Sequence, residues 1–345
     1  MLKSFSVLTR RVFLLIVPCT YILFPLKQDS TASGIQLDKN YPKWLKNNSY
    51  HTNQTSGITF LREKEDGTIE FLLADDIGKI HRLFIKGDTT ITFSPIIFNK
   101  DVKDYLNDFP KLDFEEILYD KFANKVYITI EGNGDNHLLY HGIFKLEFKD
   151  NDISQDSIVG IEKLNLMPKE SFIRELKPNI GYEGLAVDEK YFYLGLESVM
   201  SPEGKFSGYT IISIVDKKTF TIIKDINTRD LEITTVCGLY SDENYSLWGI
   251  DRNERKIFKL KLDEYFNVVE KSIYDINTVI PNYNQFEYTG SLESITISKD
   301  GYFFLVDDPW HTFFVPPNEI LNQLDEVTKN NFKEYIPIIY KFVIK

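Results

Sequence analysis

Five units of roughly 55 to 65 residues, each with the same order of apolar strands and polar turns, predict an all-β chain folded as a β-propeller of four-stranded blades. Three observations carry this. The second strand of every unit ends on a carboxylate, in the last three units the small-residue marker of the first strand recurs at a fixed distance from that acid, and long helical patterns are nearly missing.

First strands open at Ser56-Gly57-Ile58, Glu115-Glu116-Ile117, Glu183-Gly184-Leu185, Cys237-Gly238-Leu239 and Glu293-Ser294-Ile295. Second strands run Phe71 to Asp75, Tyr127 to Glu131, Tyr193 to Glu197, Leu247 to Asp251 and Phe303 to Asp307. Gly184 to Glu197, Gly238 to Asp251 and Ser294 to Asp307 are each 13 positions apart, a regularity that marks equivalent places in a repeat. Third strands are expected at Lys79 to Ile85, Tyr140 to Phe148, Tyr209 to Val215, Lys256 to Leu262 and Ile338 to Ile344. Weaker outer strands are expected at Thr90 to Phe98, Ser157 to Leu166, Phe220 to Ile226 and Val268 to Tyr274. A short helical insertion, Pro317 to Tyr335, interrupts the last blade between its second and third strands. Five blades are visible and six is the alternative, although neither residues 35–54 nor 149–180 have room for four more strands.

Residues 55–345 therefore form the propeller domain and 34–54 a linker. Residues 1–33 read as a signal peptide or N-terminal membrane anchor: Lys3, Arg10 and Arg11 precede an apolar run from Val12 to Leu26, and Ser30 to Gly34 offers a cleavage site. About 15 residues is short of the roughly 20 that span a bilayer. Ile16-Val17-Pro18-Cys19 resembles a lipoprotein box, with Pro18 where a small residue belongs. The expected place is secreted, periplasmic or membrane-anchored on the extracytoplasmic side, with membrane attachment only through the N-terminal segment.

At 345 residues and 43% apolar content the chain can bury a large core. Two cysteines, Cys19 and Cys237, supply no disulfide framework. The net charge of −11 disfavours nucleic acid and favours cations or cationic groups. No Gly-x-Ser-x-Gly elbow, phosphate-binding glycine loop or His-Glu-x-x-His pattern occurs, which removes the main support for serine hydrolases, nucleotide hydrolases and zincins.

In a propeller the first strands line the central channel, so two sets of acids converge on one mouth. The first is Glu115, Glu183 and Glu293; the second is Asp75, Glu131, Glu197, Asp251 and Asp307, with Asp76 and Asp308 beside it. Hard oxygen ligands in such numbers suit Ca²⁺. The second set has an architectural reading as well, as strand-ending acids that accept turn amides. Of the cations near these loops, Lys79, His81, Arg82, Arg252, Arg255 and His311, none is decisive, and Arg252 is expected in a solvated turn with local ion pairs. His137 and His141 fall in an expected strand, a poor setting for a zinc pair. Trp310, Phe313 and Phe314 form either a lid on the acidic face or, by preference, packing for the inserted helix.

The segments Asp113 to Ile117, Gly181 to Leu185 and Leu292 to Ile295 resemble the Glu-Gly-Ile/Leu blade motif of the phytase-like propellers, a group that includes the SdiA-regulated exported proteins. The resemblance implies export, calcium held by channel-mouth acids and, in the true phytases, hydrolysis of phosphate monoesters. It makes Glu115, Glu183 and Glu293 the metal-holding or water-activating, hence catalytic, residues. The expected function is a calcium-binding propeller that takes a small-molecule or protein ligand at its acidic mouth. The alternatives are a Ca²⁺-dependent phosphoesterase and an esterase or lactonase.

Overall fold

A computed structural model describes residues 34–310 and 312–344. Four blades are four-stranded antiparallel units read from the axis outward. Blade 1 is Thr55–Glu63, Thr68–Asp75, Lys79–Lys86 and Thr90–Phe98. Blade 2 is Asp113–Asp120, Lys125–Glu131, Gly142–Phe148 and Ser157–Lys163. Blade 3 is Tyr182–Val187, Tyr191–Leu196, Ile211–Asp216 and Thr221–Asn227. Blade 4 is Gly238–Ser241, Ser246–Asp251, Lys256–Leu262 and Val268–Asp275. Blade 5 takes Leu292–Ile297, Phe303–Asp307 and Ile338–Ile344 from the end of the chain and its outer strand, Ile35–Leu37, from the beginning.

The inner strands pack in cyclic order, blade 1 on 2, 2 on 3, 3 on 4, 4 on 5 and 5 back on 1, so the ring closes with five members. A separate hydrophobic cluster fills each of the five gaps between neighbouring blades. Phe71 of blade 1 against Phe304 of blade 5, with ring centroids 4.8 Å apart, is one such contact. Second strands are covered on both faces by adjacent blades and are apolar without alternation: Phe71 to Ala74 and Phe303 to Val306 are all buried. Outer strands such as Thr221–Asn227 mix exposed and half-buried residues.

Near the axis the inner strands of neighbouring blades nearly touch. A Cβ on Gly57 would stand 2.7 Å from the Ile117 nitrogen of blade 2, and one on Gly238 would stand 2.8 Å from Ser294 Cα of blade 5. This is why glycine sits at the first-strand marker. Gly57→Ala is expected to cost about 1–3 kcal/mol in chemical denaturation, because backbone rather than a flexible side chain must yield.

Several features depart from expectation. Residues 34–54 are not a free linker: Ile35–Leu37 pairs antiparallel with Ile344 to Phe342, and Lys43–Trp44 pairs with Ile339 and Ile338. The fourth strand that the last unit lacks in sequence therefore lies at the other end of the chain. The outer strands of blades 1 and 2 pair in parallel at Ser157↔Ile97 and Ile158↔Phe98, merging those blades into one eight-stranded sheet. A two-stranded hairpin, Thr278–Ile280 with Tyr283–Tyr288, stands between blades 4 and 5. The helical insertion is present as Asn318–Leu321 and Glu326–Lys333, the second capped by Asp325. His137–Tyr140 is a helical turn rather than the start of a strand. The segment 1–33, with the export reading and Cys19, lies outside the described residues. Among the described residues no helix is long and apolar enough to cross a membrane.

Candidate acidic channel mouth

The acids of the first strands project because the strands are bulged. In blades 1, 2, 3 and 5 the ladder between first and second strands slips at one equivalent place, leaving Ser56, Glu115 with Glu116, Glu183 and Glu293 out of register. A bulge re-aims the extra side chain. Blade 4 pairs without a slip from Gly238↔Ile250, and Cys237, buried and unpaired, takes the place of the acid.

A cavity of about 390 Å³ opens at this mouth, and eight carboxylates line it: Asp76, Asp113, Glu115, Glu131, Glu183, Glu197, Glu293 and Asp308. Ligand atoms of Asp76, Asp113 and Glu115 lie within 4.8 Å of one another, as do those of Glu183, Cys237 and Glu293. Several buried oxygens have no hydrogen-bond partner among the described residues, namely Glu131 Oε1, Glu183 Oε2 and Asp308 Oδ1.

Of the expected acids the structure brings Glu115, Glu183, Glu293, Glu131 and Glu197 to the cavity, with Asp76 and Asp308 beside them. It turns three others into the scaffold. Asp75 accepts from Thr55 Oγ1 at 2.7 Å and from the Asn53 amide at 3.2 Å, with His81 Nε2 at 2.7 Å. Asp251 accepts from the Thr234 amide at 2.6 Å, Thr234 Oγ1 at 2.9 Å and Thr235 Oγ1 at 3.0 Å. Asp307 accepts from the Tyr288 hydroxyl.

So many acids out of water hold their protons tightly. Burial first, and Asp113 next, push Asp76 up to about 8. Burial and neighbouring carboxylates carry Glu115, Glu131, Glu183 and Asp308 well above the usual range. Asp307, buried in the blade 5 wall, is raised to about 7.

Two cations offset part of this charge. Arg252 does not sit in a solvated turn: it is mostly buried, with Nη2 2.5 Å from Glu197 Oε1 and 3.8 Å from Glu183 Oε2, and Nη1 2.5 Å from Glu293 Oε2. Lys111, which the sequence reading passes over, pairs with Asp113. Of the six cations singled out from sequence, Arg252 is the one that lines the cavity among the described residues. Arg82 is buried against Glu70 and Asp156, His81 is bound to Asp75, and His311 lies outside the described residues.

Trp310 and Phe314 form part of the cavity wall, with Phe314 5.7 Å from the Arg252 guanidinium, so this cluster covers the acidic face rather than serving only the helix. His141 accepts the Gly132 amide at Nδ1 and donates from Nε2 to the Lys177 carbonyl at 2.9 Å; burial lowers it to about 4. Both ring nitrogens are thus committed to backbone. A second cavity, about 770 Å³, lies over the far ends of the same inner strands and is lined in part by Phe60, Tyr119, Phe122 and Tyr240.

Strand order, cyclic packing and the acid-lined mouth together define a five-bladed β-propeller with a carboxylate-rich channel entrance. No family model and no curated relative matches the chain. Among solved structures, the PQQ-bound aldose sugar dehydrogenase of Streptomyces coelicolor aligns at 10% identity and TM-score 0.45, covering 88% of this chain and 98% of that one. A gluconolactonase of Xanthomonas campestris aligns at 10% identity and TM-score 0.41, covering 86% and 87%. Virginiamycin B lyase of Staphylococcus aureus aligns at 11% identity and TM-score 0.37, covering 90% and 100%. At these values the likeness says nothing about the mouth, whose chemistry rests on its own residues.

Proposed function

We propose that the chain is an extracytoplasmic calcium-binding propeller that uses a metal held at the acidic mouth to engage a small-molecule or protein ligand. The observation that carries this is the pair of buried carboxylate oxygens without hydrogen-bond or ion-pair partners among the described residues, Glu131 Oε1 and Asp308 Oδ1, in a cavity where the described acids outnumber the described cations eight to two. Buried anions in that state require protons or a cation. Oxygen-only donors in number are the donor set of Ca²⁺. Asp76, Asp113 and Glu115 are the residues that would hold it. The extracytoplasmic placement rests on the basic-then-apolar order of residues 1–33.

Calorimetric titration of the chelated protein with Ca²⁺ tests the reading. Saturable binding that weakens at least tenfold in Glu115→Gln is expected; no binding heat at millimolar Ca²⁺ sinks it.

A second reading, a Ca²⁺-dependent phosphoesterase like the phytases or an esterase or lactonase, gains from one observation: Arg252 and Lys111 bring to the cavity the cations that an anionic substrate needs. In it the metal polarises the substrate, and Glu183 or a neighbour takes the proton of the attacking water. Hydrolysis of p-nitrophenyl phosphate or acetate with Ca²⁺, abolished in Glu183→Gln, is the expected result. Equal activity in that variant discards the role.

A further inference from the structure

The two cations of the mouth are not equivalent. Lys111 sits at the edge and pairs with one acid, Asp113, whereas the Arg252 guanidinium lies among Glu183, Glu197 and Glu293, which come from two blades on either side of its own. Arg252 follows the second strand of blade 4, the blade whose inner strand brings Cys237 instead of an acid. Blade 4 thus supplies a positive group at the place toward which blades 3 and 5 direct negative ones.

The mouth is divided as a result. On the side of blades 3 to 5, three carboxylates share one guanidinium. On the side of blades 1 and 2, Asp76, Asp113 and Glu115 cluster within 4.8 Å, with Lys111 the cation paired there among the described residues. The oxygens Glu131 Oε1 and, from the adjoining end of blade 5, Asp308 Oδ1, which have no hydrogen-bond partner among the described residues, belong to residues more than nine-tenths buried. A guanidinium cannot be deprotonated in this setting and its planar fork matches carboxylates, so it fills that half as a fixed ion would.

Resting on the metal reading above, we propose that Arg252 is a built-in counter-ion occupying one half of the mouth, which leaves a single divalent-cation subsite at Asp76, Asp113 and Glu115 and excludes a second ion from Glu183, Glu197 and Glu293. Arg252 thereby sets the metal stoichiometry. Removing it leaves three buried carboxylates that must take protons or a cation.

The test is Ca²⁺ stoichiometry, by calorimetry and elemental analysis, in wild type, Arg252→Met and Arg252→Lys. Wild type and Arg252→Lys are expected to bind one ion per chain and Arg252→Met two, the second lost when Glu293→Gln is added. In the wild-type background Asp76→Asn should abolish the single ion and Glu293→Gln should keep it. Two ions in wild type, one in folded Arg252→Met, or loss of the wild-type ion in Glu293→Gln would overturn the inference. Should Arg252→Met fold only when Ca²⁺ is supplied, that supports it, and the wild-type count still decides against it if two are found. Wild type binding none while Arg252→Met gains one ion would remove the function proposed above and keep the role of Arg252; none in either removes both.

Discussion

Stripped of divalent cations, the protein is expected to melt at progressively lower temperature as pH rises from about 4 to about 8, and Ca²⁺ is expected to reverse that slope. Asp76 is raised from 3.8 to about 8 and Asp307 from 3.8 to about 7, both chiefly by burial. Across that window the folded chain keeps protons that the unfolded chain releases, so stability falls as pH rises and stays low above the folded-state value. Below about 4 both states are protonated and the penalty vanishes. Arg252 and Lys111 offset only part of it, since eight carboxylates line the cavity. Ca²⁺ binds the ionised form, so protons compete with it and its stabilisation grows with pH, reaching about 2.7 kcal/mol at a hundredfold excess over Kd. Melting curves in EDTA and in Ca²⁺ at several pH values read both effects. A flat EDTA profile would show that the acids are not crowded into their neutral forms, and superimposable curves would remove the metal.

The second large effect separates acids that occupy one repeat position but do different work. Asp251→Ala is expected to cost about 3–5 kcal/mol, because Asp251 is buried and its removal leaves the Thr234 amide and two threonine hydroxyls without an acceptor. In melting temperature this is about 5–8 °C. Its Ca²⁺ stoichiometry should equal that of wild type. Glu131→Gln is expected to do the opposite: it removes a crowded negative charge, leaves melting in EDTA unchanged or higher, and weakens Ca²⁺ binding. Were Asp251→Ala to lose metal without losing stability, the division between scaffold and mouth would be wrong.

The blade plan was legible because a middle strand is covered on both faces and so is written as an unbroken apolar run, as in Phe303-Phe304-Leu305-Val306. The mouth acids were legible because the bulges that expose them repeat with the blades. Pairings between distant parts of the chain were not. Ile35-Gln36-Leu37 is three residues long and its partner is Ile338–Ile344, so no local pattern marks it as a strand. The Asp251 to Arg255 stretch has the composition of a solvated turn, and only ring closure brings Glu197 and Glu293 to Arg252. Asp75 and Glu131 hold equivalent positions, yet the first meets His81 and Thr55 whereas the second keeps an oxygen free at the cavity. A repeat predicts where an acid stands, and its neighbours decide what it does.

Ile35 lies opposite Ile344, so the seam of blade 5 is also a kinetic fact. Ile35–Leu37 has no strand to pair with until Ile338–Ile344 is present, and bringing such remote segments together is slow compared with forming a blade from consecutive hairpins. Closure is therefore expected to be a late step of folding. Before it, the third strand of blade 5 is an open edge able to accept the Ile35–Leu37 segment of another molecule as readily as its own. Crowded refolding selects against a lone ring, and dilution favours it.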